Sequence, residues 1–284
     1  YEDCCEEEVT RVAFTSPAVR RGVFSCPKLR GALVSPPMAK ATREYVYGIN
    51  PAFEVLRAQR RKVYGAWLNQ SARDKPRTQK LVRLLEQNSV RIEWVEKGRL
   101  IQLSTSRDHQ GVVLNTSLYP YTPFEDLLTH SRLLLLDNIE DPQNVGAILR
   151  SAEVFGFNGV CLPNRGVPEV YPSIVKVSAG ATEFMQIARQ FSANQYARKA
   201  AEEGYQIVAL DMNGKTTLEA VRTAAPEKLM LVIGGEDKSV GQFILNMADH
   251  TIGIPQFGRV NSLNASVAAG IAMYALGGNV AAQA

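Results

Sequence analysis

The sequence predicts an α/β protein in two parts, a small α/β sandwich followed by a larger, mostly parallel sheet with helices on both faces. Three observations carry that expectation. Beyond residue 123, short apolar runs such as Leu133–Leu136 and Leu229–Ile233 alternate with helical stretches, the pattern of strands buried on both sides. Tyr119-Pro120-Tyr121-Thr122-Pro123 forms a stiff break between the parts. The charge is also uneven. Residues 44–122 hold 13 Lys and Arg against 7 Asp and Glu, whereas residues 123–284 hold 12 against 16. A basic front joined to a mildly acidic rear suits a front part that meets a polyanion, although a solvated basic surface would look the same.

Composition excludes several classes. With 284 residues, 45% apolar and 21% charged, the chain is long enough for two domains and ordinary for a globular protein. No run approaches the ~18 apolar residues of a membrane span, so no membrane partner is expected. Cys4, Cys5, Cys26 and Cys161 lack metal-ligand spacing, and His109, His130 and His250 are scattered. No metal, zinc site or disulfide scaffold is expected, and a reducing compartment is the default.

Residues 1–43 read as a disordered leader. An acidic cluster precedes a stretch from Arg11 to Arg43 with seven basic residues and no acidic ones. It is either transit-like or a stretch upstream of a true start at Met38. The expected compartment is the cytoplasm for a bacterial protein and a mitochondrion or plastid for a eukaryotic one.

In the front part, Tyr45 to Ile49 reads as a strand, and Asn50-Pro51 as an N-cap with proline at the first helical position. A helix from Ala52 to Gln59 ends in Arg60-Arg61-Lys62. Strands follow at Val63–Leu68, Val90–Val95 and Val112–Leu114. Thr78–Gln87 forms an amphipathic helix, and Lys97–Leu103 a second helical stretch. Arg61, Lys62, Arg73, Lys75, Arg77 and Lys80 are the candidate phosphate contacts.

The rear part alternates in turn: Arg132–Asp137, Asn144–Phe155, Gly159–Leu162, Pro172–Ser178, Phe184–Ile187, Ala193–Glu203, Gln206–Leu210, Thr217–Arg222, Lys228–Ile233, Val240–Met247, Thr251–Ile254 and a last helix. Three stretches at strand ends could carry chemistry. Asp137 to Arg150 leaves a buried strand and opens a helix, where ligands gather in open α/β sheets. Its Arg150 needs a structural partner or an anionic visitor. Gly234-Gly235-Glu236 lets backbone approach a bound molecule, yet it is neither a dinucleotide fingerprint nor a phosphate loop. Ile254 to Gly277 holds a loop, then a helix of small residues capped by Asn261, Ser262 or Asn264. Each alone could be merely structural.

Together and in this order, N-x-G-x-x-x-R (Asn144, Gly146, Arg150), G-G-E (Gly234 to Glu236) and I-P-x-x-G-x-x-x-S-L-N-x-S (Ile254 to Ser266) resemble the three signature motifs of the SpoU-type 2′-O-ribose RNA methyltransferases of the SPOUT superfamily. The front part, with Tyr47-Gly48-Ile49-Asn50-Pro51 and His109-Gln110-Gly111, is similar to the L30e-like RNA-binding domain of the subgroup that methylates a guanosine in large-subunit ribosomal RNA.

The resemblance implies an L30e-like domain over 44–118, a linker over 119–123, and a methyltransferase domain over 124–284 with a C-terminal trefoil knot. It further implies S-adenosyl-L-methionine as cofactor, ribosomal RNA as partner, and a homodimer. By motif position, Gly234, Ile254 and Leu263 would hold the cofactor's adenine and ribose. Asn144, Arg150, Glu236, Ser262 and Asn264 fall on catalytic and substrate-ordering positions. Glu236 would hold Arg150 or a loop amide. Asp237, Ser239, Gln256 and Ala265 depart from the family's usual residues. A tRNA methyltransferase and a catalytically silent ribosome-assembly factor are the competing expectations.

Overall fold

The computed structural model describes residues 42–236, 238–259 and 262–277. Apart from residues 42 and 43, the expected leader lies outside the described residues, as do Asp237 and the candidate cap Asn261. Among the described residues no helix is long and apolar enough to cross a membrane.

The front part is a four-stranded sheet in the order β1-β4-β2-β3. Its elements are β1 (Arg43–Tyr47), α1 (Ile49–Ala58), β2 (Val63–Asn69), α2 (Pro76–Gln87), β3 (Ile92–Val95), α3 (Lys97–Ser104) and β4 (Val112–Ser117). β1 ends where Gly48 turns with a φ of 103°, so Ile49 leaves the strand and starts α1. The expected cap at Asn50 is therefore displaced by two residues. Pro51 falls inside the first turn, where its missing N–H costs no hydrogen bond. Leu81 and Leu85 of α2 pack with Val55 and Leu56 of α1 onto Leu68 and Leu114 of the sheet.

The rear part continues with α4 (Phe124–Leu127), β5 (Arg132–Asp137), α5 (Pro142–Val154), β6 (Gly159–Cys161), α6 (Pro172–Val177), β7 (Gln186–Ala188) and α7 (Ala193–Glu202). It ends in β8 (Gln206–Leu210), α8 (Leu218–Ala224), β9 (Leu229–Gly234), α9 (Gln242–Met247), β10 (His250–Ile252) and α10 (Ala265–Leu276). All six strands run parallel in the order β10-β8-β9-β5-β6-β7. Leu133 to Leu136 are fully buried, as an unbroken apolar run requires of a strand with helices on both faces.

Two expectations shift. Phe184 belongs to a 3-10 turn over Ala181–Phe184, and the strand begins at Gln186. The last strand stops at Ile252, so Ile254 lies in the loop beyond it. Helix α5 starts two residues before Asn144 because Asp141 caps it, its carboxylate accepting from the Gln143 N–H at 3.0 Å, with Pro142 at the first position. Its apolar face buries Val145, Ile148, Leu149 and Ala152, each larger side chain contributing about 1.5–3 kcal/mol. Gly146 makes room for α6, since a Cβ there would stand 2.6 Å from that of Val177.

The segment between the sheets is packed rather than free. Tyr119 is buried and donates to the Thr182 carbonyl at 2.8 Å, and the Tyr121 hydroxyl accepts from the Val170 N–H at 2.9 Å. Beside Tyr119 lies a buried ion cluster. Arg61 Nε donates to Glu183 Oε2 at 3.0 Å, its Nη2 stands 2.9 Å from Glu183 Oε1, and its Nη1 pairs with Glu44. Arg60 donates to the carbonyls of Met185 and Pro120. Arg61 is 4% exposed and is no phosphate contact; it joins the front sheet to the turn before β7. Burial pushes the carboxyls of both Glu183 and Glu44 above their usual range, with Arg61 pulling the other way.

Candidate active site

The site forms where parallel strands end level with one another. Asp137 at the end of β5 stands opposite Gly234 at the end of β9, and Ile233 opposite Leu210 of β8. The loops leaving these strands must therefore meet at one edge of the sheet. Asp137 ties them down: its buried carboxylate accepts from the Gly241 N–H at 2.8 Å. Burial raises the Asp137 carboxyl above its ordinary range, and that hydrogen bond opposes the shift. Gly235 passes so close to the preceding loop that a Cβ would lie 2.0 Å from the Asn138 carbonyl, so no other residue fits.

Three motif residues converge on one carboxylate oxygen. Glu236 Oε1 accepts from Asn144 Nδ2 at 3.2 Å, from Asn264 Nδ2 at 2.8 Å and from the Ala265 N–H at 3.2 Å. Asn264 Nδ2 also donates to Asn144 Oδ1 at 2.9 Å. Asn264 is the N-cap of α10, its Oδ1 accepting from the Ser266 N–H at 3.0 Å, which decides among the three candidate caps. A carboxylate is suited to this place, since the first N–H groups of a helix are unpaired and its N-terminus favours negative charge.

Beside the triangle lies a cleft of about 140 Å³. Gly234, Ile254, Leu263 and Ser262 all line it, together with Glu236 and Ala268. The cleft also takes in Leu210, Asp211 and Met212, which the sequence reading passed over. They follow β8, a third strand ending at the same edge, and that ending was the signal available. A lining that combines apolar Ile233, Ala265 and Ala268 with acidic Glu236 and Asp211 suits a partly apolar molecule carrying positive charge.

Arg150 does not join this group. Six residues beyond Asn144 along α5, it lies about 9 Å further along the axis and faces elsewhere. It is exposed, and among the described residues it has no carboxylate or hydrogen-bond partner. Glu236 spends its contacts on the two asparagines and the helix amide instead. Arg150 shares its face of α5 with Val154, which is 66% exposed, next to an apolar strip of α10 made by Val267, Ile271 and Tyr274. Tyr274 and Phe155 close the strip at 5.8 Å between ring centroids. Among the described residues no group of three His, Cys, Asp or Glu could hold a metal ion.

In the front part, the two sequence motifs hold each other. The Ile49 N–H donates to Gln110 Oε1 at 3.2 Å, and the Gly48 N–H to the Val112 carbonyl at 3.1 Å. Arg77 donates to Asn50 Oδ1, while Lys75 and Lys80 remain exposed at this end. His109 is buried and accepts from the Gly111 N–H at 2.9 Å through Nδ1; burial lowers its pKa, with Lys97 adding to the effect.

Both parts of the chain match known protein families. Residues 131–274 match the SpoU rRNA Methylase family, and residues 45–122 match the RNA 2′-O ribose methyltransferase substrate-binding family. A Bacillus subtilis protein named as a TrmH-family tRNA/rRNA methyltransferase is 33% identical, covering 81% of this chain and 94% of its own length. A protein of Mycobacterium avium named as a tRNA/rRNA methyltransferase is 34% identical over 84% of this chain and 80% of its own. Among solved structures, an AdoMet-bound rRNA methyltransferase from Sinorhizobium meliloti shares the fold with a TM-score of 0.68 at 21% identity, covering 83% of this chain and 87% of its own. An RNA 2′-O ribose methyltransferase does so with a TM-score of 0.69, also at 21% identity, over 83% of this chain and 88% of its own. The chain belongs to the SpoU rRNA Methylase family.

Proposed function

We propose that this protein methylates the ribose 2′-hydroxyl of a guanosine in large-subunit ribosomal RNA. Family membership makes it an RNA methyltransferase that uses S-adenosyl-L-methionine. The observation that carries the reading of the site is the Asn144–Glu236–Asn264 triangle, whose Glu236 also lines the cleft. When bound, the cofactor supplies a methyl group on a positively charged sulfur. The cleft suits it because Gly234, Ile254 and Leu263 offer backbone and apolar surface, while Glu236 and Asp211 balance positive charge.

In this reading the protein's residues position groups and stabilise charge, which in-line transfer to a hydroxyl needs more than a covalent intermediate. Ser262 and Asn264 orient the ribose. Glu236 fixes both asparagines and the start of α10. Arg150 stabilises the developing alkoxide or the adjacent phosphate, because a guanidinium with pKa above ~12 is a poor base at neutral pH.

Arg150 reaches this task through a homodimer. The exposed strip of Val154, Val267, Ile271 and Tyr274 supports an interface on α5 and α10, and Arg150 lies on its border. A trefoil-knotted path for the C-terminal segments is part of the same proposal. Tight crossings support it: a Cβ on Gly214 would stand 2.2 Å from the backbone of Ile252.

The finer target rests on the front part, whose Gly48–Pro51 and His109–Gly111 loops meet beside Lys75, Arg77 and Lys80. The test uses tritiated cofactor, with unmodified large-subunit ribosomal RNA and bulk tRNA as substrates in parallel. Label on a guanosine ribose of the large-subunit RNA is the expected result. Label confined to tRNA overturns the target, and cofactor binding with no transfer to RNA or assembling subunits supports a silent assembly factor.

A further inference from the structure

Among the described residues, one face of the front sheet is only half covered. Helix α3 packs Leu100 and Leu103 over Tyr47, Val95 and Val113. Further along β1 the same face continues through Tyr45 and Arg43, because alternate residues of a strand share a side. Tyr45 stands opposite Asn115 of β4, and Asn115 opposite Gly65 of β2. Here Tyr45 is 37% exposed and Tyr64, at the bulge of β2, 36%.

The rings in this region are held in place and flanked by cations. Tyr45 and Trp67 lie 5.9 Å apart between centroids, inclined at 58°. The Trp67 indole N–H donates to Glu93 at 3.0 Å, which fixes its plane. The Arg43 guanidinium sits 4.0 Å from the Tyr64 ring centre and the Lys62 ammonium 5.3 Å from it. Next to Tyr45 a cleft of about 380 Å³ opens, with Tyr47, Thr105 and Ser106 on one side and Tyr171 and Ser173 of the rear part on the other. Tyr171 is 49% exposed.

Exposed aromatic rings on a sheet, bordered by Arg and Lys, match the chemistry of unpaired nucleotides: every base has a stacking face and every linkage a negative charge. We infer that this surface binds an unpaired stretch of RNA, with bases stacked on Tyr45 and Tyr171 and phosphates facing Arg43 and Lys62. A second copy of the chain is a poorer occupant, because it would bring like cations together. The surface differs from the loop end with Lys75 and Arg77, and it gives the enzyme a hold on single-stranded RNA flanking a structured target. The inference rests on RNA being the substrate.

The experiment titrates an eight-nucleotide oligoadenylate into full-length protein carrying Trp94→Phe, so that Trp67 alone reports. Cofactor binding checks that each variant is folded. Wild-type residues at the surface should give quenching that saturates, weakened by added salt. Tyr45→Ala and Tyr171→Ala should each weaken binding about tenfold, Tyr45→Phe less than twofold, and Arg43→Glu should weaken binding too. Alanine variants that bind as tightly as the parent overturn the inference. So does a Tyr45→Ala variant that changes sedimentation but not RNA affinity, which would assign the face to a second copy. If Tyr45→Ala fails to bind cofactor, Tyr171→Ala decides, since that ring is exposed. Methyl transfer is measured on the same preparations. Transfer without any effect of the tyrosines sinks this inference alone, whereas oligonucleotide binding without transfer to any RNA sinks the proposed function.

Discussion

Arg61 and Arg150 sit in opposite surroundings. Arg61 is enclosed by Glu44, Glu183 and the ring of Tyr119, whose centre lies 4.9 Å from its guanidinium. Arg150 is exposed on α5 with no partner among the described residues. The contrast separates two uses of one side chain. A buried guanidinium with two carboxylates spends its donors holding elements together, here the front sheet and the turn at 181–184. An exposed one beside an apolar strip has its donors free among the described residues, as the proposed role of Arg150 requires. Since desolvating a charge is costly unless it is paired, burial is a dependable sign of the first use.

The largest effect should come from breaking the buried member. Arg61→Met leaves Glu44 and Glu183 without their cation and should cost about 3–5 kcal/mol of stability, read as a lowered urea midpoint. Arg61→Lys should recover only part of it, because the two-pronged contact to Glu183 is lost. Arg150→Ala should do the reverse, leaving the urea midpoint in place and lowering methyl transfer about 10²–10³-fold. Arg150→Lys separates simple charge stabilisation, which it would retain, from a role that needs the planar fork.

Acidity sharpens the same contrast. Burial raises the Glu183 and Glu44 carboxyls, so the folded state holds their protons more firmly than the unfolded chain does. That contribution to stability is complete below the ordinary glutamate value of 4.5 and is lost as pH rises through the raised values. Urea midpoints from pH 4 to pH 8 should therefore fall less in Glu183→Gln than in the native protein. An identical slope would show that Glu183 does not titrate in this range. The smallest effect concerns the triangle. Asn264→Ala removes the cap of α10 and should cost about 1 kcal/mol along with transfer activity. Asn264→Asp keeps the cap's acceptor oxygen but sets a carboxylate oxygen against Glu236, where Nδ2 had donated at 2.8 Å, so it should recover little of the stability and none of the activity.

Much of this protein was legible in its sequence. Unbroken apolar runs in Leu133–Leu136 and Leu229–Ile233 could only be strands covered on both faces, and the three motifs carried the family. Short elements were less legible. The register of α1 turned on a backbone angle at Gly48, and β7 and β10 are three residues long, too short for a period to show. Ile254 looked like the end of a strand because apolar character does not distinguish a core position from the lining of a cleft.

What only the tertiary structure decided was which polar residues meet. Asn144, Glu236 and Asn264 are separated by 92 and 28 positions in the chain; the first two meet where β5 and β9 end in register, and Asn264 joins them at the start of α10, which packs on α5. Arg61 and Arg150 are both plain arginines in the sequence. Burial and the carboxylates folded around Arg61 set the two apart, because the free energy of a charge is set by its surroundings and local sequence does not specify them.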